Sequence, residues 1–202
     1  MASTPERIIL ASASPTRARL LKAAGVAFSV EPAAIDEGPI KYEMRLAGRP
    51  AIECAQALAR AKAAPVSARH PDALVIGADQ LLAAGDDWHD KPNTIAEARL
   101  QLQSLRGRTH VLATAVCVLR DGERLWQAAS SPELTMREFS GAFLDDYIAA
   151  EGEDILGSVG AYRLESRGIQ LFSRMTGDLF AVLGLPLFEL LEFLRSRGAL
   201  LS

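Results

Sequence analysis

Cysteine is almost missing from this chain: Cys54 and Cys117 are the only two in 202 residues, far apart and in no CxxC pair. Such spacing argues against a disulfide framework and predicts two buried thiols in a reducing cytoplasm. Histidine is equally sparse. His70, His89 and His110 show no HExxH or paired ligand spacing, so a conventional zinc centre is not expected. Positive charge is short as well. A formal net charge of −3 gives no general attraction to a nucleic-acid polymer or an anionic membrane, and no basic, aromatic surface pattern suits an RNA-binding module. The chain has no run of about 18 apolar residues, as a membrane-spanning helix requires, and Glu6-Arg7 does not resemble the opening of a signal peptide. The P-loop pattern is missing, and Ser12 and Ser14 lack the GxSxG setting of a serine hydrolase. What is present is 49% apolar and 23% charged residues, enough for a sizeable globular core. Any anionic ligand must therefore be met by a local cluster of Lys and Arg, which favours a small phosphorylated molecule over a polymer.

The most informative segment is Ile8 to Leu21. Ile8 to Ala11 reads as a buried strand, Ser14 suits a helix N-cap and Pro15 the first helical position. Arg17 would then oppose the positive end of the helix dipole at a cost of about 0.3–1 kcal/mol, unless an anion lies nearby. Strand, serine turn, helix start and arginine form one recipe for holding phosphate. The alternative is an ordinary βα unit with Arg17 and Arg19 solvated.

Beyond Gly25, a helix stop, Val26 to Val30 alternates like a half-buried strand. Ala33 to Pro39 is rich in turn residues, and its Asp36 and Glu37 are either solvated charges, which the spacing favours, or metal ligands. Pro50 to Ala64 has helical periodicity with Lys62 on the apolar stripe, where a lysine snorkels outward or points into a cleft. Ala73 to Ala84 is a nearly continuous apolar run suited to a central strand, broken only by Asp79 and Gln80. A carboxylate buried there demands a cation, a metal or several donors. Gly85 to Asp87 reads as a hairpin tip, and Thr94 with Glu97 as a capping box for a helix ending near Arg106. The second half predicts a strand Val111–Leu119, an Asp121-Gly122 turn, a return strand over Leu125–Ala129, and β structure over Glu133–Phe139. A helix over Ala142–Ala149, strands over Ile169–Ser173 and Leu179–Leu183 and a final helix from Leu187 complete it. This alternation indicates a mixed α/β architecture.

Three cations, Arg17, Lys62 and Lys91, and two acids, Glu37 and Asp79, stand beside small or apolar residues. Together they suggest a phosphate ligand and a divalent metal, since cations neutralise polyphosphate and carboxylates bind Mg²⁺. Such a site can hydrolyse a phosphoanhydride with no covalent nucleophile.

The motifs Leu10-Ala11-Ser12-Ala13-Ser14-Pro15 with Arg17, Ile35-Asp36-Glu37, Leu58-Ala59 with Lys62-Ala63, Gly77-Ala78-Asp79 and Lys91-Pro92 occur in order. Gly107-Arg108-Thr109-His110, Gly160-Ala161-Tyr162 and Gly184-Leu185-Pro186-Leu187 follow. Together they resemble the Maf family of nucleoside triphosphate pyrophosphatases over almost the whole chain. The resemblance implies one domain over residues 1–202, with two lobes around a cleft and a long mixed sheet flanked by helices. That fold is similar to the fold of inosine triphosphate pyrophosphatases. It implies cleavage between the α and β phosphates, giving a nucleoside monophosphate and pyrophosphate with Mg²⁺ or Mn²⁺. Asp79 matches the proton acceptor for the attacking water, joined by Lys62 and Lys91 in a catalytic set. Ser12, Ser14 and Arg17 match substrate-binding positions, and Glu37 lies with Asp79 at the metal.

Three positions bear on the base. The dTTP/UTP branch has Arg, Thr and Gln where this chain has Thr16, Gln80 and Glu165. Gln80 and Glu165 instead resemble the 7-methyl-GTP branch, and a carboxylate suits guanine's N–H donors or a cationic methylated base. Thr16 matches neither branch, having no ring to stack on a base. The family's association with septum inhibition leaves a nucleotide-binding regulator of septum formation as the alternative to an enzyme. The expected partner is the nucleoside triphosphate, with no nucleic-acid polymer and no membrane. Oligomeric state stays open, with a homodimer as one arrangement.

Overall fold

The computed structural model describes residues 6–201. It is a mixed α/β protein with an open sheet of eight strands flanked by helices. The chain divides into two compact units. The first takes the chain up to Gln80, then Thr114–Ser130 and Asp178 onward; the second takes Leu81–Ala113 and Ser131–Gly177.

In the first unit, β1 (Ile8–Leu10) lies parallel to both β2 (Ser29–Val30) and β3 (Leu74–Ala84), with Ile9 opposite Ser29 on one side and Val75 on the other. Helix α1 (Pro15–Ala23) connects β1 to β2. The expected strand over Val26–Val30 is reduced to Ser29–Val30 because the end of α1 claims the preceding backbone. Gly25 N–H bonds Lys22 O at 3.0 Å and Val26 N–H bonds Leu21 O at 3.1 Å, the paired bonds of a Schellman cap. The chain returns to β3 through α2 (Gly38–Leu46) and α3 (Ala51–Arg69). The sequence reading left α2 unassigned; its apolar stripe is short, Ile40 with Met44, and both are only half-buried. Helix α3 continues past its expected end and through Pro65, with Val66 and Ser67 fully buried beyond the ring.

The antiparallel pair β5 (Thr109–Arg120) and β6 (Glu123–Ser130) meets at Asp121-Gly122, where both residues have positive φ, as the sequence predicts. Leu179–Leu183, expected as a strand, forms instead the short helix α6 (Leu179–Val182), capped by Asp178, whose carboxylate accepts from Phe180 N–H and Ala181 N–H at 3.0 Å each. Gly177-Asp178 before the segment and Gly184 after it are the start and stop signals that its apolar character hid. Helix α7 (Leu187–Ser196) follows. The core of this unit gathers Ile8, Leu10, Leu21, Leu74, Ile76, Val116, Leu190 and Leu194, all nearly or fully inaccessible.

In the second unit, the end of β3 pairs with β4 (Asp87–His89), and the start of β5 pairs with β7 (Glu133–Met136), which pairs in turn with β8 (Phe172–Thr176). Helix α4 (Ile95–Leu105) opens on Thr94, whose hydroxyl accepts from Glu97 N–H at 3.1 Å, while the Glu97 carboxylate accepts from Asn93 N–H at 2.8 Å. Helix α5 spans Gly141–Glu151. The segment before β8, expected as strand, is a 3₁₀ turn over Arg167–Leu171. Both cysteines are buried and free, and burial pushes the thiols up, Cys54 to about 11 and Cys117 to about 12. No helix among the described residues is long and apolar enough to cross a membrane.

Candidate functional site

Strand order in the first unit reverses direction at β1: the chain leaves β1 toward β2, then returns to place β3 on the other side. In open α/β sheets a crevice forms at such a switch, outside the carboxyl ends of the strands. At the end of β1 the Ser14 hydroxyl accepts from Arg17 N–H at 3.3 Å, and Pro15 occupies the first turn. Ser12 is buried and Ser14 half-buried.

Arg17 is neither solvated nor simply directed at an open helix start. Its side chain is buried, with the residue 8% exposed, and it returns to the sheet. Nε–H donates to Gly184 O at 2.8 Å, and Nη1 donates to Ala78 O at 2.9 Å and Ser12 Oγ at 3.1 Å. Burial pushes its pKa down, opposed by the negative charges of Asp79 and Glu37. The Ala78 bond has a simple origin. Ala11 N–H is bonded to Ile76 O at 2.8 Å, and two residues further on Ala78 O faces the same edge, where the chain has left β1 for α1. A buried strand carbonyl left unpaired there would cost about 1–3 kcal/mol; the guanidinium supplies the missing donor.

The second cluster comes from α3. Ala55, Leu58, Ala59 and Ala63 are buried, and Gly77 lets α3 approach β3 closely, since a Cβ there would lie 2.1 Å from Ala59 O and 2.8 Å from Ala63 Cβ. One turn from Ala59, Lys62 lies against the sheet. Its Nζ donates to Asp79 Oδ1 and, at 2.7 Å, to Glu37 Oε1. Glu37 Oε2 takes Lys41 Nζ at 2.8 Å from the next turn of α2. Burial works to raise the Glu37 pKa, but bonds from Lys41 and Lys62 outweigh it and hold the carboxyl at about 2. The result is a chain of alternating charge, Asp79–Lys62–Glu37–Lys41, with Asp79 only 5% exposed. Lys41 escaped the sequence reading; its signal was the i,i+4 spacing from Glu37 at the start of a Pro-led helix.

Adjacent strand residues face opposite sides, which separates Gln80 from Asp79. Gln80 Nε2 donates to Thr114 Oγ1, Ala181 O and Val182 O at 2.8, 3.0 and 3.1 Å, an anchor on α6 rather than on the lysine cluster. Thr16 is half-buried in the first turn of α1. Lys91 and Glu165 belong to the second unit, both exposed. In that unit two motifs meet at a buried pair: His110 Nε2 lies 2.7 Å from Tyr162 Oη. Burial lowers the His110 pKa to about 4 and raises that of Tyr162.

Among the described residues no group of three or more His, Cys, Asp or Glu is placed to hold a metal ion. Glu37 and Asp79 nevertheless converge on one ammonium. Two hard carboxylates suit Mg²⁺ or Mn²⁺, which typically take one or two protein carboxylates and complete their shell with substrate phosphates and water.

Parallel strands whose carboxyl ends gather a helix start, two acids and a lysine place this chain in the class of α/β proteins with a site at a topological switch. The particular family is fixed by sequence: the family described as Maf-like protein matches residues 7–197, and the chain belongs to it. Similar proteins include the nucleoside triphosphate pyrophosphatase of Rhodospirillum rubrum, 51% identical over 195 residues, 96% of each chain. The protein of the same description from Granulibacter bethesdensis is 50% identical over 96% of this chain and 98% of its own. A 7-methyl-GTP pyrophosphatase of Rhizobium johnstonii is 45% identical over the same shares.

Proposed function

We propose that this protein hydrolyses nucleoside triphosphates at the α–β phosphoanhydride, releasing a nucleoside monophosphate and pyrophosphate. The observation that carries this reading is Lys62 held between Asp79 and Glu37, beside the β1–α1 turn, in a chain whose relatives are described as pyrophosphatases along nearly their full length. Asp79 is the proton acceptor: as a water oxygen bonds to phosphorus and the bond to the bridging oxygen breaks, the water proton passes to its carboxylate. Lys62 is the internal counterion that a phosphate oxygen can compete for, and its withdrawal leaves Asp79 able to take that proton. Ser12 and Ser14 offer hydroxyls to the phosphates. Glu37 and Asp79 would hold a divalent ion, which when bound neutralises developing phosphate charge.

For the base, the 7-methyl-GTP pyrophosphatase relatives at about 45% identity support a methylated guanine, with Gln80 acting only through its anchor on α6. The cytoplasm is the proposed compartment, supported by two buried free thiols.

The test is a panel of triphosphates, including 7-methyl-GTP, GTP, dTTP and UTP, with Mg²⁺ or Mn²⁺ and separate detection of pyrophosphate and orthophosphate. Pyrophosphate is the expected product, and Asp79→Asn is expected to abolish turnover while retaining nucleotide binding. Orthophosphate as the primary product, or no turnover across the panel, would sink the proposal.

A further inference from the structure

We infer that Arg17 is a positioning residue: its guanidinium ties the β1–α1 turn, the β3 carbonyl preceding Asp79 and the α6–α7 turn into one frame that aims the Asp79 carboxylate. The inference rests on the hydrolytic role given to Asp79, and it changes what Arg17 does there, from gripping phosphate to holding the base in place.

The acceptors make the case. Gly184 O, Ala78 O and Ser12 Oγ take up Nε–H and both Nη1 protons, three of the five donors an arginine has. These acceptors come from three segments far apart in sequence. The guanidinium replaces the ladder donor that β1 no longer provides to Ala78 O, so the bond fixes the peptide group leading into Asp79. Gly184 is the far end of the frame. It sits at φ +98, a backbone region L side chains rarely adopt. An added Cβ would lie 3.4 Å from Arg17 Nε. The Gly184-Leu185-Pro186-Leu187 motif, otherwise without a part in the chemistry, thereby gains one: it presents a carbonyl to Arg17.

A phosphate-gripping arginine and a frame-holding one respond differently to lysine. Lysine keeps the charge as a point donor for phosphate but cannot reproduce a planar fork with three acceptors. Under the frame reading, Arg17→Lys lowers kcat by about 10- to 100-fold, the scale of a misplaced catalytic group. KM, and Kd for pyrophosphate measured by calorimetry, change little. Gly184→Ala, which removes no charge, gives the same signature. A tenfold or greater rise in KM and in the Kd for pyrophosphate with kcat retained in Arg17→Lys would overturn the inference, as would unchanged kcat in Gly184→Ala.

Thermal melts of both single variants and the double variant give a second reading independent of turnover. Shared use of one hydrogen bond predicts that the two losses in Tm do not add; additive losses overturn the frame. Failure of the unaltered protein to release pyrophosphate from any triphosphate would refute the hydrolytic reading instead, and the melts would then decide the frame.

Discussion

Replacing Lys62 by methionine keeps the aliphatic stem on α3 and removes the ammonium shared by Asp79 and Glu37. Breaking a fully buried pair by deleting one partner costs about 3–5 kcal/mol, because the other charge stays buried and uncompensated. Here the side chains of Lys62 and Asp79 are 16% and 7% exposed, while Glu37 at 33% is partly screened by water. The estimate falls to about 2–3 kcal/mol on that account. For a chain of this size that is a loss in Tm of about 5–10 °C. Urea denaturation of Lys62→Met, Asp79→Asn and the double variant measures the coupling. Asp79→Asn leaves Lys62 its bond to Glu37 and is expected to cost less, and the double variant should recover about 2 kcal/mol relative to the sum of the singles. Additivity within about 0.5 kcal/mol would refute the shared ion pair as the organising contact of the cluster.

Two further outcomes follow from groups outside that cluster. His110, 1% exposed, is held at about 4 by burial, with His89 and Arg108 adding to the effect, against an ordinary value near 6.5. Its contribution is therefore fully present above pH 6.5 and declines as pH falls toward 4, by about 3 kcal/mol in all; a His110→Asn variant should lose that part of the slope in denaturation midpoints between pH 7.5 and 4, and an identical slope would refute the assignment. Gly77→Ala drives a methyl into the α3 backbone at Ala59 O, which cannot swing aside. It should cost about 3 kcal/mol or more and reduce turnover by shifting Lys62, whereas a melt within about 2 °C of the parent would show that α3 yields.

Local chemistry made much of the fold legible. Ser14-Pro15 starts α1, Thr94 starts α4 and Asp121-Gly122 turns β5 into β6, all visible because caps and tight turns depend on a few neighbouring residues. Periodicity failed where burial did not follow it. Helix α2 carries only a short, half-buried stripe of Ile40 and Met44 directly after a turn-rich segment, and α6 is a single apolar turn whose helical state is set by the Asp178 cap.

The site divides the same way. By itself the sequence determined that Asp79 lies in an apolar strand, where the cost of an unpaired buried charge demands a partner, and that Lys62 sits on the apolar stripe of its helix, either snorkelling outward or pointing into a cleft. Only the tertiary structure decided that these two are each other's partners with Glu37 between Lys62 and Lys41, and that Gln80 faces away toward α6. It also decided that Arg17 serves a carbonyl within β3, sixty-one residues further along the chain. Those pairings depend on where β1 ends beside β3 and how closely α3 packs over Gly77, distances between segments that no local pattern of residues encodes.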